Sequence, residues 1–423
     1  MSVHRNYVRS LYKRALYTSL DWYPNRLYWR PIALQIRAEF EANRGESSPV
    51  RVQHLLRETE DALEEYRHPL PYKYMTAPGG TKYERNKWFE DNMTICVYVW
   101  GGGSRDNANA ILAGPRPLTL ALNEHLVILV KQPGGADQLH FGQADKPVPK
   151  SNELLVQIHC FALNRMDIVQ REGHYPLPPE AGPILGVEFS GVVAETGSAA
   201  SRFKPGDKVF GLAYGGAYAQ YIAVDEGSVH PLGSLSMEQG SSLLECWYAA
   251  YQAVSYIGNL QAGEDILIHA ASGGVGTAAI QLAKMAGARR IFVTAGSPGK
   301  IEYCRKLGAT HPINYREQSF KEVVLRETDG RGVDVVCDYL LASYFGDNID
   351  SLAKDGRMSL QGAMGGAVAE HVNLLPVIFK QLRIEGSVLR SRPLEYQRRL
   401  GEAFGRDVLP HIESGEMFWH IDR

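Results

Sequence analysis

Apolar side chains near the N-terminus recur every three or four positions, a spacing typical of amphipathic helices. The first such set comprises Val8, Leu11, Tyr12, Ala15 and Leu16. A second helix is predicted with Pro31 in its first turn. A third is predicted to start at Pro49, because proline favours the first helical turn and Ser48 suits the cap before it. The pattern predicts a small three-helix bundle.

From Val127 onward the pattern changes to short apolar runs separated by glycine- and proline-containing turns. Runs of this kind lie at residues 127–130, 153–158 and 192–195, and the turn at 204–208 leads into another. Short runs bounded by turn residues are typical of β-strands. This part of the chain is predicted to be an all-β lobe.

A strand, a glycine-rich turn and a helix follow in direct succession. The apolar run at 266–268 enters a turn of small residues at 270–276, and a helical pattern continues through Leu282. Glycine permits the tight turn and lets a pyrophosphate approach the unpaired N–H groups of the helix start. This order predicts a dinucleotide site in which the phosphates are bound by Gly273, Gly274, Val275 and Gly276.

The next strand indicates which dinucleotide is bound. A second apolar run at 291–293 ends at a segment that includes Gly296, Ser297 and Lys300 and has no acidic residue. NAD sites usually carry Asp or Glu here, to accept hydrogen bonds from the ribose 2′-hydroxyl. A hydroxyl and a cation suit a 2′-phosphate instead, so the predicted cofactor is NADPH.

Length, charge and cysteine content narrow the function classes. The length of 423 residues predicts two to three domains. The net charge of −2 does not indicate a protein that binds nucleic acid. The five cysteines form no C-x-x-C pair, which disfavours a disulfide framework and structural zinc. The first twenty residues are basic without an acid, a composition compatible with mitochondrial import.

The N-terminal segments resemble the LYR family of accessory subunits of mitochondrial respiratory complex I. The resemblance covers roughly residues 5–86 and rests on the segments 9–16, 37–41, 68–72 and 78–85, the last reading PGGTKYER. It implies a non-catalytic role, in which residues 1–90 bind a mitochondrial acyl carrier protein and complex I membrane-arm subunits on the matrix face of the inner membrane. The residues that it nominates for partner binding are Leu11, Tyr12, Lys13, Arg37 and Phe40, with Lys13 in place of the family arginine.

Almost all of residues 127–423 resemble the zinc-free quinone oxidoreductase branch of the medium-chain dehydrogenase/reductase superfamily. The segments that carry the resemblance are 162–167, 171–175, 184–191, 314–315 and 389–392. It implies a GroES-like β lobe followed by a Rossmann domain, a quinone-like small-molecule substrate and a homodimer of this half. It adds Tyr315 and Arg390 to the cofactor-binding residues. Polar groups expected in the catalytic cleft are Asn164, Asp167 and Tyr175.

The sequence argues against a metal centre. Zinc-dependent relatives carry Cys where this chain has Asn164, and His where it has Val187. Without imidazole or thiolate ligands a tetrahedral catalytic zinc cannot form. The expected chemistry is therefore direct hydride transfer, supported by positioning and by polar groups at the developing oxyanion.

The chain is predicted to be α/β overall, with five successive parts. These are an LYR helical domain (1–90), a linker (91–121), a GroES-like domain (122–245), an NADP-binding Rossmann domain (246–392) and a shortened return to the GroES-like domain (393–423). Two features depart from the reductase pattern. Bulky residues at 339–341 replace a small turn, and the reductase pattern would continue beyond residue 423.

Two interpretations of the whole chain are open from the sequence. In one, a complex I accessory module is fused to an NADPH:quinone oxidoreductase. In the other, two neighbouring coding regions are joined in the gene model and only one half is functional. The second leaves a cytoplasmic location open for the reductase half.

Overall fold

The computed structural model describes residues 8, 11–12, 15–16, 26–43, 48–65, 97–99 and 124–421. They fall into two units, one within residues 1–90 and the other within residues 91–423.

The N-terminal unit contains helices α1 (Arg26–Ala42) and α2 (Pro49–Glu65), preceded by residues of helical backbone. That backbone covers the five apolar positions between Val8 and Leu16 that predicted the first helix. Leu11 is buried, and the Tyr12 ring meets the Phe40 ring of α1 edge-on, at 5.1 Å between centroids. The predicted helical segments are confirmed in the part of this unit that the structure describes.

One predicted helix start is wrong. Helix α1 begins at Arg26, so Pro31 lies inside the helix rather than in its first turn. An interior proline removes one intrahelical hydrogen bond, and packing of the apolar face compensates for such a loss. The start of α2 agrees with the prediction: Ser48 precedes it, and the Val52 N–H donates to the Ser48 carbonyl oxygen at 2.9 Å.

The β lobe of the second unit is built on a six-stranded antiparallel sheet. The strands run in the spatial order β1-β4-β5-β6-β8, with β7 paired to β4 as well. Their bounds are β1 Val97–Val99, β4 Glu153–Ala162, β5 Glu188–Thr196, β6 Lys208–Leu212, β7 Tyr221–Asp225 and β8 Val229–Pro231. A separate hairpin joins β2 (Glu124–Val130) to β3 (Leu139–Asp145). The strand runs predicted from Val127 onward are confirmed.

Strand β1 lies within the segment 91–121 that composition predicts to be a linker. Its residues pair antiparallel with β4, with Val97 opposite Ala162 and Val99 opposite Cys160. The strand-like run at 95–100 thus includes an edge strand of the β lobe.

Three short helices precede the second sheet along the chain, the first of them between β4 and β5. They are α3 (Arg165–Arg171), α4 (Met237–Ser241) and α5 (Leu244–Tyr251), the last continuing as a π-helical turn, Gln252–Ile257. Helix α5 is almost entirely apolar, and Trp247 and Tyr248 pack against Phe404 near the C-terminus.

The second sheet has six parallel strands in the order β11-β10-β9-β12-β13-β14. The strands are β9 Asp265–Ile268, β10 Arg290–Ala295, β11 His311–Asn314, β12 Val333–Asp338, β13 Leu352–Leu360 and β14 Arg383–Gly386. Their crossover helices are α6 Gly274–Met285, α7 Pro298–Leu307, α8 Phe320–Glu327, α9 Phe345–Ser351 and α10 Leu375–Phe379. Strand order 3-2-1-4-5-6 is that of the dinucleotide-binding fold, in which ligands bind where the order reverses.

The C-terminal helices return to the β lobe. Helix α11 (Leu394–Asp407) is followed by α12 (Leu409–Glu413), and Arg398 of α11 donates two hydrogen bonds to the Asp225 carboxylate at the end of β7. Leu400 and Phe404 are fully buried in the core shared with α5. Across the described residues, no helix is long and apolar enough to cross a lipid bilayer.

Candidate active site

The carboxyl end of β9 leads into a turn that closes tightly on helix α6. The Gly273 N–H donates to the Ala270 carbonyl oxygen at 3.0 Å, and the Thr277 N–H donates to that of Gly273 at 2.8 Å. A Cβ on Gly276 would lie 2.5 Å from Ala271 Cα and 2.6 Å from Ala270 O, so only glycine fits. No side chain caps the start of α6, and its first N–H groups face the position that phosphates occupy in such folds.

This turn lies at the point where the strand order reverses, because β9 and β12 are neighbours. At the end of β12, Asp338 Oδ1 accepts hydrogen bonds from the N–H groups of Leu340 and Leu341, and Leu341 adopts a positive φ of 64°. The bulky residues predicted to depart from the family pattern are thus held in a turn by Asp338.

Two buried acceptors at this edge have no hydrogen-bond partner: Asp338 Oδ2, and Gln361 Oε1 just beyond β13. Ribose hydroxyls and a carboxamide N–H₂ are donors that could satisfy them. The turn bounded by Gly276 and the uncapped start of α6 form a phosphate cradle. Together with this cradle, the two acceptors fit a nicotinamide dinucleotide.

The residues predicted to bind the adenosine end gather at the carboxyl ends of β10 and β11. Ser297 Oγ accepts from the Lys300 N–H at 3.5 Å and caps α7. A side chain on Gly296 would collide with the Tyr315 hydroxyl, 2.6 Å from the position of its Cβ. Tyr315 is 41% exposed, whereas the Lys300 side chain is only 5% exposed. Sequence reasoning passed over the basic residue Arg316, which directly follows Tyr315.

Asn164 and Asp167, two of the predicted catalytic residues, are deeply buried around the start of α3. Asp167 Oδ2 accepts from the Asn164 N–H at 2.9 Å and from the Tyr218 hydroxyl at 3.1 Å, and its Oδ1 accepts from the Gly186 N–H at 3.3 Å. These contacts make Asp167 a cap that ties α3 to two β-lobe segments. Burial raises its pKa to about 6.

Tyr175 and Arg390 meet beside this cap. The Arg390 guanidinium carbon lies 5.4 Å from the centroid of the Tyr175 ring, and burial raises the pKa of the Tyr175 hydroxyl. Arg390, which the resemblance assigned to the cofactor, is 3% exposed. It donates to the Tyr214 carbonyl oxygen at 2.5 Å and to Gln170 Oε1 at 2.8 Å. Its observed contacts are therefore with the β lobe.

The partner-binding residues proposed for the N-terminal unit are only partly described. Leu11 is buried, and Tyr12 and Phe40 pack together. Arg37 is exposed on α1, and Lys13 lies outside the described residues.

Comparison with known proteins decides the family. Residues 150–234 match the alcohol dehydrogenase GroES-like domain and residues 274–404 match the zinc-binding dehydrogenase family. Over 221 residues the chain is 30% identical to the quinone oxidoreductase of Homo sapiens, covering 52% of this chain and 67% of that protein. The chain belongs to the medium-chain dehydrogenase/reductase family. Its residues 6–65 match the complex 1 LYR family, which confirms both resemblances drawn from the sequence.

Other relatives agree with this placement. The Sus scrofa quinone oxidoreductase is 29% identical over 259 residues, covering 61% of this chain and 78% of the relative. The crystal structure of Escherichia coli quinone oxidoreductase complexed with NADPH superposes with a TM-score of 0.63 at 28% identity, covering 70% of this chain and 90% of that one. The combination of GroES-like lobe and Rossmann domain is confirmed, and the family supports a nicotinamide cofactor.

In this medium-chain reductase the position before Glu188 is filled by Val187, which is fully buried. Among the described residues no group of three or more His, Cys, Asp or Glu side chains is arranged to hold a metal ion. The four described cysteines, Cys160, Cys246, Cys304 and Cys337, are buried thiols.

Sequence reasoning missed two acids next to Asn164 and Asp167, namely Glu188 and Glu245. Glu188 is fully buried; its Oε1 accepts from Asn164 Nδ2 at 2.8 Å and its Oε2 from the Glu245 N–H at 3.0 Å. Burial raises the pKa of Glu188 to about 8 and that of the partly buried Glu245 to about 7. A charged residue at the start of the apolar run 187–193 was the available signal for Glu188. Glu245 sits in the helix-like run 243–254, and nothing in its spacing marks it.

Proposed function

We propose that the reductase part of the chain is an NADPH-dependent oxidoreductase that delivers a hydride to an electron-poor acceptor such as a quinone, without zinc. The observation that carries this proposal is the cradle at the strand-order reversal, bounded by Gly276 and continued by Ser297 and Tyr315. When bound, a reduced nicotinamide supplies the hydride. A quinone needs little Lewis-acid help, because its reduced form is stabilised by resonance.

The residues of this chain supply binding and orientation. The N–H groups at the start of α6 would hold the pyrophosphate, and Ser297 with the start of α7 would hold the 2′-phosphate. Asn164, Tyr175 and Arg390 would supply polar atoms beside the acceptor; Asn164 is fixed by its bond to Glu188, and Arg390 lies over the Tyr175 ring. Polar groups fixed before the reaction stabilise a developing oxyanion without reorganisation.

The function is tested with the purified full-length chain, NADPH and a simple benzoquinone, with and without a strong chelator. We expect NADPH oxidation that depends on the quinone and is unchanged by chelation, because Asn164 and Val187 offer no zinc ligands. Elemental analysis should find no stoichiometric zinc. One equivalent of zinc, together with loss of activity on its removal, would overturn the direct-hydride mechanism.

A second acceptor class is favoured by the relatives. The CurK enoyl reductase structure superposes with a TM-score of 0.60 at 25% identity. The mycocerosic acid synthase-like polyketide synthase of Mycobacterium tuberculosis is 31% identical over 229 residues, although the match spans 11% of that longer protein. An alkene conjugated to a thioester carbonyl is electron-poor in the same sense as a quinone, so a short enoyl thioester belongs in the same assay.

For the N-terminal unit we propose a role as an LYR accessory module of respiratory complex I, with an acylated mitochondrial acyl carrier protein as its partner. The LYR family match and the packing of Tyr12 on Phe40 support this role.

A location on the matrix face of the inner membrane and a homodimer of the reductase part stay predictions. Cell fractionation tests the first and light scattering of the full chain the second. A tryptic peptide crossing residues 80–130 in cell extracts would exclude a gene-model artefact.

Carrier-protein binding should require both charge and apolar contact. We expect the double variant Lys13→Glu/Arg37→Glu of the full chain to lose co-purification with the acylated carrier. Each lost contact to a charged group costs about 1.5–3 kcal/mol. High salt should weaken the wild-type complex only in part, because the acyl chain is insensitive to screening.

Arg57→Glu, an equal charge reversal on an exposed arginine of α2, serves as the control and should still bind. Equal binding of the unacylated carrier, or retention by the double variant, would contradict the proposed mode.

A further inference from the structure

Three carboxyl groups from separate parts of the chain lie close enough to interact, and this carboxyl array consists of Asp167, Glu188 and Glu245. They come from helix α3, strand β5 and the first turn of helix α5. Asn164 connects the first two: its N–H donates to Asp167 and its side-chain amide donates to Glu188. The backbone N–H of Glu245 donates to the other oxygen of Glu188.

Too few cations lie near the array for all three of its carboxyl groups to be ionised at once. Arg390 is the cation whose field reaches Asp167 and Glu245, and in the described part of the chain no Lys, Arg or His lies within ion-pair distance of Glu188 or Glu245. Three carboxylates, two of them buried and one partly buried, would repel each other beside a single guanidinium, because little water is present to shield them. The array therefore keeps protons at neutral pH.

Two buried polar atoms around the array make no hydrogen bond of good geometry, although the Asn164 side chain faces the N–H of Asp167 in a capping box and Arg390 lies over the Tyr175 ring. These are Asn164 Oδ1 and Arg390 Nη2, on side chains that are 2% and 3% exposed. Asn164 Oδ1 is an acceptor and Arg390 Nη2 is a donor. A ligand group that both donates and accepts a hydrogen bond would satisfy them. A carbonyl oxygen that becomes a hydroxyl does both in the course of reduction.

Glu245 is the most exposed member of the array. Its side chain is partly exposed, whereas Glu188 and Asp167 are buried and each accepts at least two hydrogen bonds. The charged and titratable groups that face Glu245 or Glu188 from neighbouring elements are Asp167, Tyr175, Cys246 and Arg390.

We propose that Glu245 donates the proton consumed in the reduction, and that Glu188 holds the first turn of α5 so that this carboxyl stays protonated and in place. This inference rests on the proposed reductase function. The acceptor gains a hydride from the nicotinamide and a proton from Glu245. The carboxyl O–H bond breaks, an O–H or C–H bond forms on the acceptor, and solvent returns a proton to the carboxylate.

The proposal predicts a specific pH profile. Because the donor must be protonated, kcat of the wild-type full chain should fall as the pH rises through about 7, where Glu245 titrates. Glu245→Gln should lower kcat roughly 100-fold or more, the usual contribution of a general acid, and should abolish that alkaline limb. NADPH affinity, followed by its fluorescence, should stay within about twofold of wild type, since Glu245 is not assigned to the cofactor.

Infrared spectroscopy gives a readout that is independent of turnover. The carboxylic acid C=O band of the wild-type protein should contain a component that disappears with a midpoint near pH 7 and is missing in Glu245→Gln. Glu188→Gln should remove a separate component with a midpoint near pH 8. Glu395→Gln, at an exposed position of α11, is the matched control and should change neither the band nor the pH profile.

The outcomes separate this inference from the proposed function. An active wild-type protein whose Glu245→Gln variant keeps full kcat and the alkaline limb would overturn Glu245 as donor and leave the reductase intact. A wild-type protein without activity on any acceptor would sink both the reductase and the donor role. The infrared titration would then still show whether the array holds protons.

Discussion

Gly276→Ala is expected to weaken dinucleotide binding by roughly tenfold or more and to lower the stability of the reductase unit. The added methyl group would lie 2.5 Å from Ala271 Cα and 2.6 Å from Ala270 O, and both of these are backbone atoms that cannot rotate away. Helix α6 must then shift from the turn, and its N–H groups no longer converge on the phosphates. Overpacking of this kind costs about 1–3 kcal/mol of unfolding free energy. Losing one charged hydrogen bond weakens binding by roughly tenfold or more.

The measurement is NADPH titration by fluorescence, together with thermal unfolding of the full chain. Gly346→Ala is the matched control, because nothing lies within 4 Å of its Cβ position and its φ is not positive. It should bind NADPH like wild type. If Gly276→Ala binds with wild-type affinity, the cofactor does not occupy this cradle.

Ser297→Asp is expected to reverse the cofactor preference from NADPH to NADH. An aspartate can still cap helix α7, as Ser297 does, so the fold should be maintained. Its charge would face the 2′-phosphate of NADPH, and two like charges about 4 Å apart repel by about 4 kcal/mol at an effective dielectric constant of 20. With NADH the same carboxylate can accept hydrogen bonds from the ribose 2′-hydroxyl. The ratio of the two Kd values should therefore change by roughly 100-fold or more.

Lys300→Glu should shift the preference in the same direction. Because Lys300 is 5% exposed, its variant must first be shown to be folded by circular dichroism and thermal unfolding. Ser297→Ala, which removes the hydroxyl without adding charge, should weaken NADPH binding modestly and leave NADH binding unchanged. Comparable Kd values of wild type for NADPH and NADH would contradict the NADPH assignment.

Local sequence patterns were enough to predict those elements whose structure depends on contacts between residues close together in the chain. The strand, turn and helix from Asp265 to Met285 could be predicted because Gly276 is required by its contacts with Ala270 and Ala271 of the same turn. The start of α2 at Pro49 followed from the local pair Ser48 and Pro49. The start of α1 did not, because the five residues before Pro31 are themselves helical.

What the sequence by itself determined is the inventory of side chains and the local geometry that holds a dinucleotide. The segment around Ser297 lacks an acid, and positions 164 and 187 lack zinc ligands, whatever the fold does. The tertiary structure decided which of these side chains are available. In the folded chain Asp167 accepts three hydrogen bonds and Arg390 donates to the β lobe. Lys300 is buried.

The carboxyl array is decided by tertiary structure alone. Asp167, Glu188 and Glu245 are separated by 21 and 57 residues, and no periodicity links a helix cap, a strand start and a helix first turn. They meet because hydrogen bonds from Asn164 and from the Glu245 N–H join the start of α3, strand β5 and the first turn of α5. Their protonation depends on burial and on mutual repulsion, which are properties of the packed interior and not of any segment of the chain.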